Sequence, residues 1–216
     1  MALGRQGRKQ KRTERSKLDA TPPWDDRVRE EPDATTGPFD VTDAPEDGVT
    51  RADLGALRVP VGEGIDLSIE VNQAQQVVSA TLTSANGSMQ LGVYAAPRNE
   101  GIWDDVRVAL AESMRAQKGI ATERPDGTWG PELTGTVPGE RGRVPVRMVG
   151  IDGPRWLLRA TLLGAAADPA KAQPLEDVLR QVVVVRGNEP LPVGEPVPLQ
   201  LPKDVELPGT AGDVAT

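Results

Sequence analysis

The chain has 216 residues with 25 Lys plus Arg against 32 Asp plus Glu, a formal charge of -7 that suits a soluble protein and argues against a surface binding nucleic acid throughout. It contains no histidine and no cysteine, which removes the usual agents of proton shuttling near neutral pH, thiolate chemistry and soft-metal ligation. Composition therefore favours a binding protein over an enzyme, with no catalytic residue, metal ligand or cofactor expected.

The N-terminal stretch crowds together Arg5, Arg8, Lys9, Lys11, Arg12, Arg15 and Lys17, opposed by Glu14. An acidic segment follows, with Asp25, Asp26, Glu30, Glu31, Asp33, Asp40, Asp43, Glu46 and Asp47. Neither part has apolar periodicity, so residues 1–45 read as a disordered arm, basic and then acidic. The basic part would attract nucleic-acid phosphates or an anionic membrane by charge, without interleaved aromatics for base stacking. Trp24, beside Pro22 and Pro23, is placed to anchor a short linear motif. No run is apolar and long enough to span a bilayer, and the N-terminus lacks the apolar core of a secretory signal, which points to the cytoplasm.

Residues 46–187 read as one domain. Ile65, Leu67, Ile69 and Val71 alternate with Asp66, Ser68 and Glu70, the period of a strand buried on one face. Val78, Ala80 and Leu82 continue on a second strand, and Met89, Leu91 and Val93 on a third. Asn86-Gly87 suits a two-residue hairpin loop, and that loop would set Leu82 opposite Leu91 and Ala80 opposite Val93. Trp103, Val106, Leu110 and Met114, flanked by Ala109 and Ser113, change to helical spacing. Asp104 and Asp105 suit the positive end of that helix, Arg115 and Lys118 its last turn, and Gly119 its stop.

Further strands are expected around residues 132–137, 143–151 and 155–163. A short helix follows on Leu175, Val178, Leu179 and Val182, then a strand on Val183, Val184 and Val185. The order gives an α+β fold, antiparallel sheet meanders covered by two helices, an arrangement compatible with an α/β/α sandwich. Residues 188–216, rich in proline, read as an extended tail.

Several phrases of the sequence carry a resemblance: GPFD at Gly37 to Asp40, ADLGAL at Ala52 to Leu57, GIWDDVR at Gly101 to Arg107, VGIDGPRWLLRATLLGAAA at Val149 to Ala167, and LEDVLRQVVVVRGNEPLP at Leu175 to Pro192. Over Gly37 to Pro202 the chain resembles an actinobacterial family of uncharacterised proteins, a domain of unknown function. That resemblance implies a shared fold and carries no catalytic residue or cofactor with it. A weaker fold-level similarity is to the sandwich of photosystem II extrinsic proteins and the Ran-binding nuclear-import factor, which implies partner binding by analogy of fold.

The sharpest constellation lies around Asp152-Gly153-Pro154. A three-residue loop there would pair Val149 with Leu157 and Arg147 with Arg159, gathering Val144, Val146, Met148, Trp156, Leu158, Ala160 and Leu162 on one face. Arg143, Arg147, Arg155 and Arg159 would then share the other. Such a cluster, with planar forks suited to oxyanions, would recognise an acidic protein partner or a phosphorylated ligand. The alternative is internal pairing with Asp104, Asp105, Glu112 or Glu132.

Adjacent Asp104 and Asp105 point apart on a helix and make no catalytic pair. Gly62-Glu63-Gly64 lacks the trailing residues of a phosphate loop. The reading is thus a cytoplasmic binding or adaptor protein working through an Arg-bearing sheet face. The alternatives are an enzyme or sensor for a phosphorylated small molecule, and nucleic-acid binding through the arm. The sequence sets no oligomeric state.

Overall fold

The computed structural model describes residues 36–71 and 77–201, so the basic arm, Trp24, Pro202 and Pro208 lie outside the described residues. In chain order the elements are β1 (Phe39–Asp40), β2 (Arg51–Asp53), β3 (Leu57–Pro60), β4 (Asp66–Val71), β5 (Val77–Ser84), β6 (Gly87–Ala95), α1 (Trp103–Ala116), β7 (Ile120–Gly127), β8 (Gly130–Gly139), β9 (Gly142–Gly153), β10 (Trp156–Gly164), α2 (Gln173–Leu179) and β11 (Val183–Val184). The fold is α+β, with most of its regular structure in two sheets. An antiparallel seven-stranded sheet has the order β4-β5-β6-β10-β9-β8-β7, and a four-stranded one the order β1-β11-β3-β2.

The large sheet is clad on both faces. On one, Leu82, Met89, Leu91, Trp156, Leu158 and Leu162 meet Leu54, Leu57, Leu175, Leu179 and Val184 from the small sheet, its flanks and α2. On the other, Trp103 and Ile102 pack on Leu157, and Ala111 and Met114 on Leu133 and Val146. The cover is a helix on one side, and part sheet and part helix on the other.

The alternating strands stand where expected, with one slip. The loop joining β5 to β6 is Ala85-Asn86 rather than Asn86-Gly87, so Leu82 pairs with Met89 and Ala80 with Leu91. The slip is even, which leaves every side chain on its intended face. Gly87 lies in the ladder at φ 143, where a Cβ would strike the Leu163 carbonyl.

In α1, Trp103, Ala111 and Met114 are buried, whereas Ala109 and Ser113 face solvent. The Asp152 carboxylate supplies its N-terminal cap from β9, accepting from Ile102 N–H at 2.9 Å and Trp103 N–H at 3.2 Å. Its C-terminus closes with Lys118 N–H donating to the Arg115 carbonyl at 3.0 Å and Gly119 N–H to the Met114 carbonyl at 2.8 Å. The left-handed residue is therefore Lys118, at φ 61, and not Gly119. A side chain at that position is strained where glycine is not. Lys118→Gly is expected to raise stability by about 0.5–1 kcal/mol, read as a higher urea midpoint with unchanged slope.

β7 was not foreseen, because IATERPDG shows neither apolar alternation nor a β-branched run. It holds the sheet edge by pairing with β8, and Arg115 Nη2 donates to the Ala121 carbonyl at 3.1 Å. Pro125 and the charges on this strand are the usual means of blunting an edge.

The folded unit extends past both expected boundaries. β1, assigned by composition to the arm, pairs in parallel with β11, and its Asp40 Oδ2 accepts the Trp156 indole N–H at 2.8 Å. At the other end the proline-rich segment is seated on the domain: Val197 N–H donates to Val93 O, Ala95 N–H to Glu195 O and Gln200 N–H to Leu54 O, at 2.8–2.9 Å. Val197 and Leu199 are buried there. Proline blocks a regular ladder but permits these isolated bridges.

Candidate functional site

Four arginines were expected on one face of the β9–β10 hairpin, and the register separates them. The loop is Pro154-Arg155, with Trp156 opposite Gly153, Arg159 opposite Gly150 and Leu162 opposite Arg147. This differs from the expected pairing by an odd number of residues, so Arg147 and Arg159 point to opposite faces. The turn itself explains the register. Proline supplies the fixed φ of the first loop position, Arg155 takes φ 64 at the second, and its carbonyl accepts both Ala96 N–H at 3.0 Å and Arg186 Nε at 3.1 Å.

Arg147 lies inside the protein, 0% exposed, between the large sheet and α2. Its Nη1 meets Glu132 Oε1 at 3.3 Å and its Nη2 donates to Glu176 Oε1. Glu132 is 0% exposed as well, lying over Gly127. Arg180 Nη2 reaches Glu176 Oε2 at 3.5 Å, and its guanidinium stacks 5.2 Å from the Trp129 ring centroid. Trp129, Arg180, Glu176, Arg147 and Glu132 thus form one run of alternating charge from the β7–β8 turn through α2 into the core. Of the acidic partners considered from sequence, Glu132 is the one that pairs with Arg147. Glu176 was missed because nothing short-range places α2 beside β9.

The remaining three arginines have separate addresses. Arg143 is exposed near the β8–β9 turn, with Nη1 at 3.4 Å from Thr136 Oγ1. The length of β9 separates it from Arg155 at the other end of the strand. Arg159 is half-buried on the α1 side of the sheet, its guanidinium 4.7 Å from the Tyr94 ring centroid. α1 crosses β7, β8 and β9, and the β4–β6 side of that face carries Ser68, Thr81, Thr83, Ser88 and Gln90, all half-buried or exposed.

Arg155 has a neighbour that sequence reasoning missed. Arg186, 7% exposed, spends Nε on the Arg155 carbonyl and Nη1 on the Glu189 carbonyl at 3.1 Å. Burial first, and then the like charge of Arg155, hold its guanidinium below the ordinary arginine value, with Glu189 opposing. Among the described residues, no ion pair joins Arg155, Arg159 or Arg186 to a carboxylate. Arg51 shows the contrast: it grips Asp47 at 2.7 Å and holds that carboxyl down to about 2.

These contacts also account for the phrases of sequence that stood out. Asp40 of GPFD bonds Trp156 of DGPRW, Asp152 of the same phrase caps the helix of GIWDDVR, and Trp103 Nε1 donates to the Pro131 carbonyl at 2.6 Å. They describe a fold held at its joints. The model of a family described as a protein of unknown function, DUF3710, matches residues 37–207. The chain belongs to the DUF3710 family.

No curated protein matches this DUF3710 chain. Among solved structures it is similar to a protein from Bacteroides thetaiotaomicron, at 9% identity and TM-score 0.36 over 63% of this chain and 48% of that one. The chain thus spans about half the length of that protein. It is similar also to cyanobacterial PsbP from Synechocystis, at 13% identity and TM-score 0.36 over 65% and 96% of the two chains. LpqN, involved in cell envelope biogenesis of Mycobacterium tuberculosis, aligns at 10% identity and TM-score 0.32 over 69% and 99%. Among the described residues of the DUF3710 chain, no helix is long and apolar enough to cross a membrane.

Proposed function

We propose that this protein is a non-enzymatic cytoplasmic binding module that recognises an acidic protein partner through Arg155 and Arg159, with Arg186 behind Arg155. The supporting observation is the juxtaposition of Arg155 with a buried Arg186 and, among the described residues, no ion pair from either to a carboxylate. Like charges brought together at the edge of the protein interior repel, and an incoming carboxylate relieves that repulsion while accepting from planar donor forks. Arg159, spread over Tyr94, presents its charge beside a polar sheet face. Arg143, exposed at the far end of β9, can add long-range attraction, whereas Arg147 is enclosed and contributes to folding.

The test is titration of an oligoglutamate peptide, inorganic phosphate, ATP and a single-stranded DNA into the full chain, at low and at physiological salt. Saturable binding of the peptide, weakening with salt, is expected. Arg155→Ala/Arg159→Ala should lower that affinity by about tenfold or more, since charge-assisted hydrogen bonds contribute about 1.5–3 kcal/mol each, with thermal stability little changed. Preference for phosphate or ATP would redirect the reading to a phosphorylated ligand. Binding of DNA that the double variant leaves intact would assign recognition to the basic arm.

A further inference from the structure

Beside α1, which crosses β7, β8 and β9, the same face of the large sheet continues onto β10, β6, β5 and the free edge strand β4. Register orders the side chains there in rows. Ser68, Thr81 and Gln90 follow one another across β4, β5 and β6, all half-buried or exposed. In the next row Glu70 stands opposite Ser79 and Gly92 opposite Arg159, so a carboxylate and a guanidinium close its two ends. Strands lie about 4.7–4.9 Å apart, which sets those ends about 14 Å from each other. They do not meet within one chain. Glu70 Oε2 accepts Ser79 Oγ–H at 2.7 Å, Arg159 stacks 4.7 Å from the Tyr94 ring centroid, and among the described residues neither forms an ion pair. Tyr94 fills the middle of the row, its hydroxyl 3.2 Å from where a Cβ on Gly92 would stand.

We propose that this face docks a second copy of the chain, related by a two-fold axis that runs parallel to the strands between β5 and β6. The charge pattern selects that occupant. A half-turn about this axis lays β10 over β4 and β6 over β5, so Arg159 of each copy meets Glu70 of the other, and Thr81 meets Gln90. A two-fold contact requires a self-complementary patch, and a cation and an anion at equal distances from the axis make one. The two Tyr94 rings lie beside the axis with Arg159 stacked on each, and tyrosine and arginine are residue types that interfaces favour. The space agrees as well. α1, about 10 Å across, stands as high above its sheet as an aligned second sheet would lie, and the half-turn sets it outside the unpaired β4 edge of the other copy. The inference rests on reading Arg159 as a carboxylate receptor, and it names a second copy as one bearer of that carboxylate.

The test is sedimentation velocity of the full chain from about 10 µM to about 1 mM. The face is small, so a dimer that forms in the upper part of that range is expected. Each copy carries a net charge of -7, so bulk repulsion opposes pairing and a local match has to supply the attraction. Arg159→Glu and Glu70→Arg, each checked for unchanged thermal stability, should each weaken the dimer by about tenfold or more. Mixing the two variants restores both opposite-charge contacts, and the mixture should associate more tightly than either variant alone. A parent chain that is monomeric throughout, a dimer that Glu70→Arg leaves unchanged, or a mixture no tighter than its components would overturn the proposal. Titrating oligoglutamate into the parent at about 10 µM, below the dimer range, separates the two readings. Peptide binding by a chain that never dimerises overturns this proposal alone; no peptide binding by a chain whose dimer obeys the reversals overturns the acidic-partner reading alone.

Discussion

Replacing Arg147 by alanine is expected to cost about 3–5 kcal/mol, because it strips the counter-charge from buried Glu132 and leaves buried Glu176 with Arg180 alone. The side chain is 0% exposed and bridges Glu132 and Glu176. A small domain is typically stable by about 5–15 kcal/mol, so Arg147→Ala should lie near the edge of folding. Urea unfolding with tryptophan fluorescence would show a large drop in midpoint. Arg143→Ala, at an exposed site, should change stability by about 0.5 kcal/mol or less. The triple variant Glu132→Leu/Arg147→Met/Glu176→Leu separates charge from shape: removing all three ionic groups together should cost less than removing the arginine alone. Arg147→Ala as stable as the parent would show that the triad does not hold α2 to the sheet.

Trp156→Ala is expected to cost about 3–5 kcal/mol, through the void left by a large core ring. Trp156 is 0% exposed within the main core, and its indole N–H donates to Asp40 Oδ2 at 2.8 Å. The side chain thus fills the centre and fastens β1 to it. Trp156→Phe keeps most of the ring and loses that bond, with an expected cost of about 1–2 kcal/mol plus a small packing loss. Hydrogen exchange would distinguish the two roles. In Trp156→Phe, amides of Phe39 and Val41, which donate to Val182 and Val184 carbonyls, should exchange faster while β6 and β10 stay protected. Equal acceleration everywhere would mean that Asp40 and Trp156 do not form a separate fastening.

How legible these features were depends on how each strand is covered. β4 carries Leu67 and Ile69 on one face, with Ile65 just before it, and solvent-facing Asp66, Ser68 and Glu70 on the other, so alternation identified it. β9 runs through the middle of the sheet, where Val146, Arg147, Val149, Gly150 and Ile151 are all buried. A strand covered on both faces shows no period with which to set a register. The apolar pattern then favoured a pairing that turned arginine outward, since a core arginine needs counter-charges that local sequence does not display. Here they come from positions 15 and 29 residues away. The proposed anion surface was half readable for the same reason. Arg155 and Arg159 lie on the hairpin that drew attention, while Arg186 reaches Arg155 from 31 residues further along.

The seam closed by Gly194 to Gln200 has a consequence for biosynthesis. Among the described residues β1 pairs only with β11, and the edge of β6 beyond its pairing with β5 is bridged only when Glu195 and Val197 have arrived. A nascent chain leaves the ribosome N-terminus first, at about 5–20 residues per second, so the sheet through β10 is synthesised before α2 and β11 can complete the cover that β2 and β3 begin on its apolar face. For the seconds needed to add the last part of the fold, the leucines of β5, β6 and β10 stay partly open to solvent and to other nascent chains. A transcript truncated just after β10 would encode a sheet with only part of its lid, and the cell should meet that product with chaperones and proteases rather than tolerate it as a smaller working protein.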